Sequence, residues 1–356
     1  MEQRMAKLRA RLEEAKLDAY FNVAPPNTQY LTGFRGSSSA VVVTDADARF
    51  LCDFRYAEQA EEQVQGFEIE VVSGDMMTRV GERLETLGAR STAFEPDYLR
   101  VSELHSLEEA FPGRVAPISD LVAGLRLTKS QDEIDRIRDA LRLSEGVLED
   151  LVGTLETGLP ERELAAQFEY EFKKRGASGA SFHPIALFGP RSSLPHGEAG
   201  DRRLTSGDVV LLDFGCVLDG YCSDLTRTYA FDTIPGAWFE EIYDLTLTAQ
   251  RISIEAVRPG MTCRELDAVG RDLIAEAGHG DHFGHGLGHG LGIEIHEAPR
   301  LNPQSATVLQ PGMVVTIEPG VYLPGRGGIR IEDVVTVTED GCAVLSSAPK
   351  DCRILE

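Results

Sequence analysis

The chain has 356 residues and a formal net charge of −23, from 58 acidic and 35 basic residues. This length allows two domains, and the acidic surplus argues against nucleic acid or an anionic membrane as a partner. No apolar run is long enough to span a bilayer, and the N-terminal segment lacks the apolar core of a secretory signal. The six cysteines form no C-x-x-C pair, which fits a reducing compartment. The sequence therefore predicts a cytoplasmic protein.

Residues 1–17 carry apolar side chains at helical spacing, which predicts an amphipathic helix. Strand-like runs alternate with helical patterns after it: the runs are at residues 19–23, 40–44, 49–52 and 68–72, and the helical patterns at 56–65 and 77–87. This alternation predicts an α/β domain. Residues 111–117 have the composition of a loop that closes it. We therefore predict domains of residues 1–125 and 126–356.

The second domain is predicted to open with a long helix. Ser130 and Glu133 have the spacing of a capping box, so the helix should begin after Ser130 and run to about Val152. A faint internal repeat follows, because residues 158–177 resemble residues 260–279, including an Arg-Glu-Leu triplet in each. If the repeat is structural, the domain is pseudo-symmetric and its site lies at the junction of the two halves.

Four carboxylates interrupt apolar, strand-like runs of the second domain. Residues 209–231 predict two antiparallel strands joined by a turn, with Asp213 on the first strand and Asp224 on the second. Glu318 and Glu332 interrupt the runs VVTIEPGVY and GIRIEDVV. A carboxylate in a buried strand is costly unless it is paired or bound to a metal. We therefore interpret the four carboxylates as ligands of a metal site.

A segment rich in Gly and His supplies a further ligand. Residues 283–297 contain His285, His289 and His296 among glycines that let the backbone approach a ligand closely. The segment alone does not say which histidine binds metal. Four carboxylates would over-neutralise one divalent ion, so the set predicts two ions, an arrangement suited to hydrolysis. Oxygen-rich ligands favour Mn²⁺, with Co²⁺, Zn²⁺ or Fe²⁺ as alternatives.

Together these motifs resemble the pita-bread metallopeptidases, a family that includes Xaa-Pro aminopeptidase (aminopeptidase P), Xaa-Pro dipeptidase (prolidase) and methionine aminopeptidase. The resemblance covers the whole chain and implies an α/β (α+β) fold. An N-terminal α/β creatinase/prolidase-like domain would precede a pseudo-symmetric pita-bread catalytic domain. The metal ligands that it implies are Asp213, Asp224, His289, Glu318 and Glu332. Catalytic roles are implied for His196, His285 and His296, and for Glu318 as a ligand that also passes the proton.

The N-terminal domain resembles the proline-specific branch of this family. The segments YLTGFRGSSS (30–39) and LCDFRYAEQA (51–60) carry that similarity, and methionine aminopeptidases lack the domain. In the family this domain builds a homodimer and affects access of the substrate, so the resemblance implies a homodimer. His183, in SFHPIALFG, is a departure, since the family more often has a small, acidic or apolar residue there.

The implied reaction is hydrolysis of the bond between an N-terminal residue and a following proline. This bond has no N–H, so it requires a dedicated site. The two N-terminal segments favour an aminopeptidase that acts on longer peptides. Arg300 would suit the free carboxylate of a dipeptide and keeps a prolidase as the alternative. Arg330 is a second candidate for substrate binding, or a partner for a ligand carboxylate. Because all five ligands are present, a non-catalytic peptide-binding module and a creatinase-like hydrolase are disfavoured.

Overall fold

The chain divides into two units, Met1–Arg126 and Leu127–Glu356, in a computed structural model that describes residues 2–351 and 354–355. Each unit has its own buried apolar side chains. None of the described helices is long and apolar enough to cross a membrane. Five cysteines are free thiols, and Cys352 lies outside the described residues.

The first unit is a six-stranded sheet with helices, in the strand order β4-β3-β2-β1-β5-β6. Its elements are α1 (Glu2–Ala15), β1 (Ala19–Asn22), α2 (Pro25–Thr32), β2 (Ser39–Thr44), β3 (Ala48–Cys52), α3 (Ala57–Gln63), β4 (Glu68–Val71), α4 (Met76–Thr86), β5 (Ser91–Phe94), α5 (Val101–Ala110), β6 (Arg114–Pro117) and α6 (Ala123–Arg126). The sheet is mixed: β1 and β3 are antiparallel to β2, whereas β1 with β5, β3 with β4 and β5 with β6 are parallel. The helices and strands predicted before residue 88 lie where the sequence places them, within two residues at most ends.

The prediction that residues 111–117 form a loop is wrong for their second half. Residues 114–117 form β6, which pairs with β5 in parallel and lies at one end of the sheet. An edge strand may contain proline because one side of its backbone needs no partner. This strand is too short to show an alternating pattern, and Pro117 at its end has the composition of a turn.

The second unit contains two main sheets and two helix pairs. Its elements are α7 (Gln131–Val152), α8 (Glu161–Lys174), β7 (Gly179–Ala180), β8 (Ile185–Phe188), β9 (Val209–Phe214), β10 (Cys216–Leu218), β11 (Tyr221–Cys222), β12 (Leu225–Phe231), α9 (Ala237–Ala256), α10 (Cys263–Glu276), β13 (Gly288–Gly290), β14 (Glu297–Leu301), β15 (Val314–Ile317), β16 (Gly320–Leu323), β17 (Gly327–Arg330), β18 (Asp333–Val337), β19 (Cys342–Val344) and β20 (Ile354–Leu355). The sheets have the orders β20-β12-β9-β8 and β14-β13-β15-β18-β19. Helix α7 begins as predicted, because the Glu133 carboxylate accepts 2.9 Å hydrogen bonds from the Ser130 backbone N–H and hydroxyl.

The internal repeat has a structural counterpart in the way α8 and α10 begin. Gly158 and Gly260 precede these helices with φ values of 96° and 86°, a conformation that glycine adopts without strain. The Gly158 N–H donates to the Leu204 carbonyl at 2.9 Å, and the Gly260 N–H donates to the Leu309 carbonyl at 2.9 Å. Each helix then runs for 14 residues. In both halves of the unit, a helix therefore begins after a glycine whose N–H bonds to the backbone carbonyl of a distant residue.

Candidate metal centre

Strand ends from both halves of the second unit deliver the predicted ligands to one place. Asp213 lies on β9, and Asp224 lies one residue before its antiparallel partner β12, just outside the strand on which the sequence predicts it. His289 lies on β13, while Glu318 follows β15 and Glu332 precedes β18. All five line a cavity of about 480 Å³, here named the active cavity. The other candidate residues line it too: His196, His285, His296, Arg300 and Arg330.

The five predicted ligands, Asp213, Asp224, His289, Glu318 and Glu332, are here named the ligand cluster, and three of them have the spacing of a possible metal site. Asp224, His289 and Glu332 are buried, and each offers a ligand atom within 4.8 Å of those of the other two. His289 Nε2 also lies 3.5 Å from Asp224 Oδ2 and 3.3 Å from Glu318 Oε1. Oxygen atoms and one imidazole nitrogen at these separations can converge on divalent ions.

Two carboxylates of the cluster each have one oxygen held by the protein and one oxygen left over. Thr226 Oγ1 donates to Glu332 Oε2 at 2.8 Å, and Arg330 donates to Asp213 Oδ2 at 2.5 Å. The remaining atoms, Asp213 Oδ1 and Glu332 Oε1, are buried without a hydrogen-bond partner among the described residues. A buried oxygen without a partner costs about 1–3 kcal/mol. Bound divalent cations would give these two oxygens partners, so the residues present fit a metal site.

Burial and mutual repulsion raise the pKa values of the clustered carboxyls when no cation is present. Burial raises the pKa of Glu318 to about 8; Arg330 opposes this shift and the Asp213 charge adds to it. Burial, followed by Glu332 and Asp213, raises the pKa of Asp224 well above its usual range. Burial, followed by the neighbouring His296, lowers the pKa of His289 to about 3. A neutral imidazole can bind a metal, and a bound cation would favour ionised carboxylates.

These shifts predict how the stability of the metal-free protein depends on pH. Glu318 has a folded pKa of about 8 and an ordinary value of 4.5, so its protonated form stabilises the fold below pH 4.5. That stability is lost as the pH rises from about 4.5 to 8, because the unfolded chain ionises first. The difference in Tm between pH 5.5 and pH 8 in EDTA should therefore be larger in wild type than in Glu318→Gln. Equal differences in the two proteins would contradict the assignment.

The protein holds the ring of His285, for which the resemblance implies a catalytic role, through both nitrogens. Its Nδ1 lies 2.8 Å from the Gly286 carbonyl, and its Nε2 lies 2.8 Å from the Tyr322 hydroxyl. A carbonyl only accepts, so Nδ1 carries the hydrogen and Nε2 accepts from Tyr322. Burial lowers the pKa of His285 to about 3. Both ring nitrogens of this neutral histidine are thus used within the protein.

Arg330 also bonds to the protein rather than presenting free donors to a substrate. Besides Asp213, its guanidinium donates to the Tyr322 hydroxyl at 2.7 Å and to Thr226 Oγ1 at 3.1 Å. Its side chain is 3% exposed. This geometry favours the role of a partner that orients Asp213. Sequence analysis missed Tyr322 and Thr226, because no local pattern indicates that they meet Arg330 in the fold.

Three cavity-lining residues face solvent more openly. The His296 ring lies 4.4 Å from the His289 ring at 81°, and burial, followed by Arg300, lowers its pKa. Arg300 lies on β14 directly across from His289, and its side chain is exposed. His196 is exposed at the cavity wall. His183, in contrast, does not line the active cavity; its side chain is fully exposed, 3.8 Å from Glu169.

Known proteins match both units of the chain. Residues 135–339 match the model of metallopeptidase family M24, and residues 4–128 match that of the creatinase/prolidase N-terminal domain. The Xaa-Pro dipeptidase of Pyrococcus furiosus is 36% identical over 353 residues, which cover 99% of each protein.

Two solved structures share the fold along nearly the whole chain. The Xaa-Pro dipeptidase from Bacillus anthracis aligns with a TM-score of 0.96 and 40% identity, covering 99% of each chain. The X-Pro aminopeptidase from Thermotoga maritima aligns with a TM-score of 0.90 and 34% identity, covering 97% of this chain and 99% of that one. The chain thus belongs to metallopeptidase family M24, whose members use divalent metals, and it combines a creatinase-like N-terminal domain with a pita-bread catalytic domain.

Proposed function

We propose that this metallopeptidase is an Xaa-Pro dipeptidase, or prolidase, and that the ligand cluster holds two divalent metal ions. Its substrates would be dipeptides with proline at the second position. The observation that carries this proposal is Arg300, an exposed cation on the wall of the active cavity, directly across from His289. A dipeptide has a free carboxylate next to its proline ring, and a cation on the cavity wall can bind that group.

The position of Arg300 relative to the ligand cluster supports this choice. It lies across from His289 in the β13–β14 pair, and it acts electrostatically on His289, His296 and Glu318. An arginine can bind a carboxylate through two parallel hydrogen bonds. A peptide bond near the ligand cluster and a carboxylate at Arg300 would therefore be bound together, as in a short substrate.

The names of the relatives support the same choice. Both the Pyrococcus furiosus relative and the Bacillus anthracis structure are named Xaa-Pro dipeptidase. The two N-terminal segments favoured the aminopeptidase in the sequence analysis. The names of these relatives instead favour its alternative, the dipeptidase. The Thermotoga maritima structure, named X-Pro aminopeptidase, keeps longer peptides as a second candidate substrate.

In this proposal the protein orients the reacting groups around the ions. Divalent ions held by the cluster would supply an activated water molecule and stabilise negative charge on the substrate oxygen. Arg330 holds Asp213 and Thr226 holds Glu332, so the ligands keep their orientation. Thr316 Oγ1 donates to Glu318 Oε1 at 3.2 Å. We assign to Glu318 the role of taking a proton from the attacking water and passing it to the leaving proline nitrogen.

His296 and His196 are assigned to the substrate. Both are exposed in the active cavity. The lowered pKa of His296 leaves its ring neutral near pH 7, with one N–H to donate. We assign that donor to the substrate carbonyl as negative charge develops on it. His196 would contact the proline end of the substrate, while His285 acts indirectly through Tyr322.

A matched pair of peptides tests the substrate class. We expect a higher kcat/KM for Ala-Pro than for Ala-Pro-Ala with metal-loaded enzyme, because only the dipeptide places a carboxylate beside the proline. Faster cleavage of Ala-Pro-Ala would assign the enzyme to the aminopeptidases. If the enzyme cleaved neither peptide, the Xaa-Pro assignment would be wrong.

Arg300→Ala should lower kcat/KM for Ala-Pro selectively. Hydrogen bonds to charged groups contribute about 1.5–3 kcal/mol, which corresponds to a loss of roughly 10- to 100-fold. Ala-Pro-amide, which lacks the carboxylate, should be cleaved at the same low rate by the variant and by wild type. Arg326→Ala, at an exposed turn outside the active cavity, is the matched control. An equal loss on both substrates would show that Arg300 does not bind the carboxylate.

Three further predictions concern the metal, assembly and location. Ligand hardness favours Mn²⁺, with Co²⁺ or Zn²⁺ as alternatives. The N-terminal domain is proposed to mediate a homodimer and to affect substrate access. The proposed location is the cytoplasm, and composition alone supports this proposal. Elemental analysis of the purified protein, its molar mass in solution and cell fractionation test these three predictions separately.

A further inference from the structure

Residues 283–287, the loop that carries His285, are hydrogen-bonded to one ion pair of helix α10. Arg271 and Asp267, one turn apart on α10, form a two-bond pair: Nε lies 2.7 Å from Oδ2 and a terminal nitrogen lies 2.8 Å from Oδ1. Asp267 is 1% exposed. A carboxylate buried to this degree requires strong partners. The pair is therefore a fixed structure rather than a loose surface contact.

The same two side chains bind the loop backbone on both sides of His285. Arg271 donates to the carbonyl of Phe283 at 2.9 Å and to that of His285 at 2.7 Å. Asp267 Oδ1 accepts from the Leu287 N–H at 2.9 Å. The guanidinium also lies 4.3 Å from the Phe283 ring centroid, within the range of a cation–π contact. The backbones of Phe283, His285 and Leu287 are thus all hydrogen-bonded to this ion pair.

The fastened loop leads to the ligand cluster by two routes. The His285 ring bonds to Tyr322, which accepts from Arg330, and Arg330 holds Asp213. The Leu287 carbonyl accepts from the Glu318 backbone N–H at 2.8 Å. Displacement of the loop would therefore disturb the group that orients Asp213 and the backbone of Glu318.

We propose that Asp267 and Arg271 are positioning residues for the hydrolytic reaction, acting by fixing the loop so that His285 holds Tyr322 against Arg330. This proposal rests on the proposed peptidase function. Neither side chain lines the active cavity, so neither touches the substrate. Their effect on turnover passes through His285, and it should disappear when His285 is absent.

A double-mutant cycle between Arg271 and His285 tests this coupling. Arg271→Met keeps the aliphatic stem and removes the bonds to the two carbonyls. We expect it to lower kcat roughly 10-fold, the effect of about 1.4 kcal/mol, with KM and metal content unchanged. In the His285→Ala background the same change should lower kcat less than about 2-fold. Arg271→Lys should retain an intermediate kcat and remains informative if Arg271→Met folds poorly. Arg264→Met, at an exposed position of the same helix, is the control.

The outcomes separate this proposal from the proposed function. Wild type is first assayed on Ala-Pro and Ala-Pro-Ala, which tests the substrate class, and the cycle is then run on whichever peptide is cleaved. An NMR spectrum of the zinc-loaded, ¹⁵N-histidine-labelled protein reports the environment of His285 without turnover. The His285 signals, identified by their absence in His285→Ala, should shift in Arg271→Met. Equal fold-losses of kcat in both backgrounds, or unshifted His285 signals, would overturn the positioning role.

Discussion

Asp224→Asn is expected to abolish metal retention and nearly all hydrolysis. Asp224 is buried, and its ligand atom lies within 4.8 Å of those of His289 and Glu332. The amide is neutral, so the cluster loses one of the charges that balance two divalent ions. Loss of a residue that merely supports a ligand typically costs about 10–100-fold in metal affinity or activity, and loss of the ligand itself should exceed this. Elemental analysis after dialysis and kcat/KM for Ala-Pro measure both effects.

Two further variants sharpen this prediction. Glu332→Gln should behave in the same way, because Glu332 Oε1 is one of the buried oxygens that lack a partner within the described part of the chain. His105→Ala is the matched control, since His105 is exposed on α5 in the first unit. If His105→Ala impaired metal retention and hydrolysis as much as Asp224→Asn, the separation of site residues from surface residues would be wrong.

His296→Ala should keep the metal content of wild type and lose most turnover. The His296 ring packs at 81° against the His289 ring, yet it stands outside the group of three close ligand atoms. Its proposed role is to donate a hydrogen bond as charge develops on the substrate oxygen. Removal of one such donor typically costs about 10²–10³ in kcat. Metal stoichiometry, kcat and KM for Ala-Pro together separate this role from that of a ligand.

The control for this variant is His183→Ala, since His183 is fully exposed and does not line the active cavity. Loss of metal from His296→Ala would mean that the ligand role belongs to His296 rather than to His289. Unchanged turnover in His296→Ala would assign the stabilising hydrogen bond to another group.

Much of this site could be predicted because its carboxylates conflict with their local sequence. Asp213, Glu318 and Glu332 each interrupt an apolar run, and an ionised group in such a run requires a partner. The strand hairpin that brings Asp213 towards Asp224 is also local, since its turn has the Asp-Gly signal. Pattern and burial cost therefore indicated which carboxylates meet in one cavity, although not which histidine joins them.

The supporting residues could not be predicted because they meet only after folding. Tyr322 is an ordinary aromatic residue of a short strand, and its contacts with His285 and Arg330 join three separate segments. Arg271 and Asp267 have the spacing of any helical ion pair, yet their significance comes from the backbone of residues 283–287. Local sequence patterns carry no information on these distant partners.

On substrate length the sequence favoured the aminopeptidase, whereas the names of the relatives favour its alternative, the dipeptidase. Arg300 is one cation in a segment with several histidines, and the residue type alone does not distinguish a solvent-exposed arginine from one facing a substrate. The fold places Arg300 on the wall of the active cavity, directly across from His289. Position relative to the ligand cluster, rather than composition, therefore supports the dipeptidase.

Metal reconstitution of the stripped enzyme tests the central claim most directly. The protein is treated with a chelator, dialysed, verified by elemental analysis to be free of metal, and then titrated with Mn²⁺ while Ala-Pro hydrolysis is followed. The ligand cluster predicts no hydrolysis without metal and recovery that saturates at two ions per chain. Full hydrolysis by the verified metal-free protein would contradict a metal-dependent mechanism at this site.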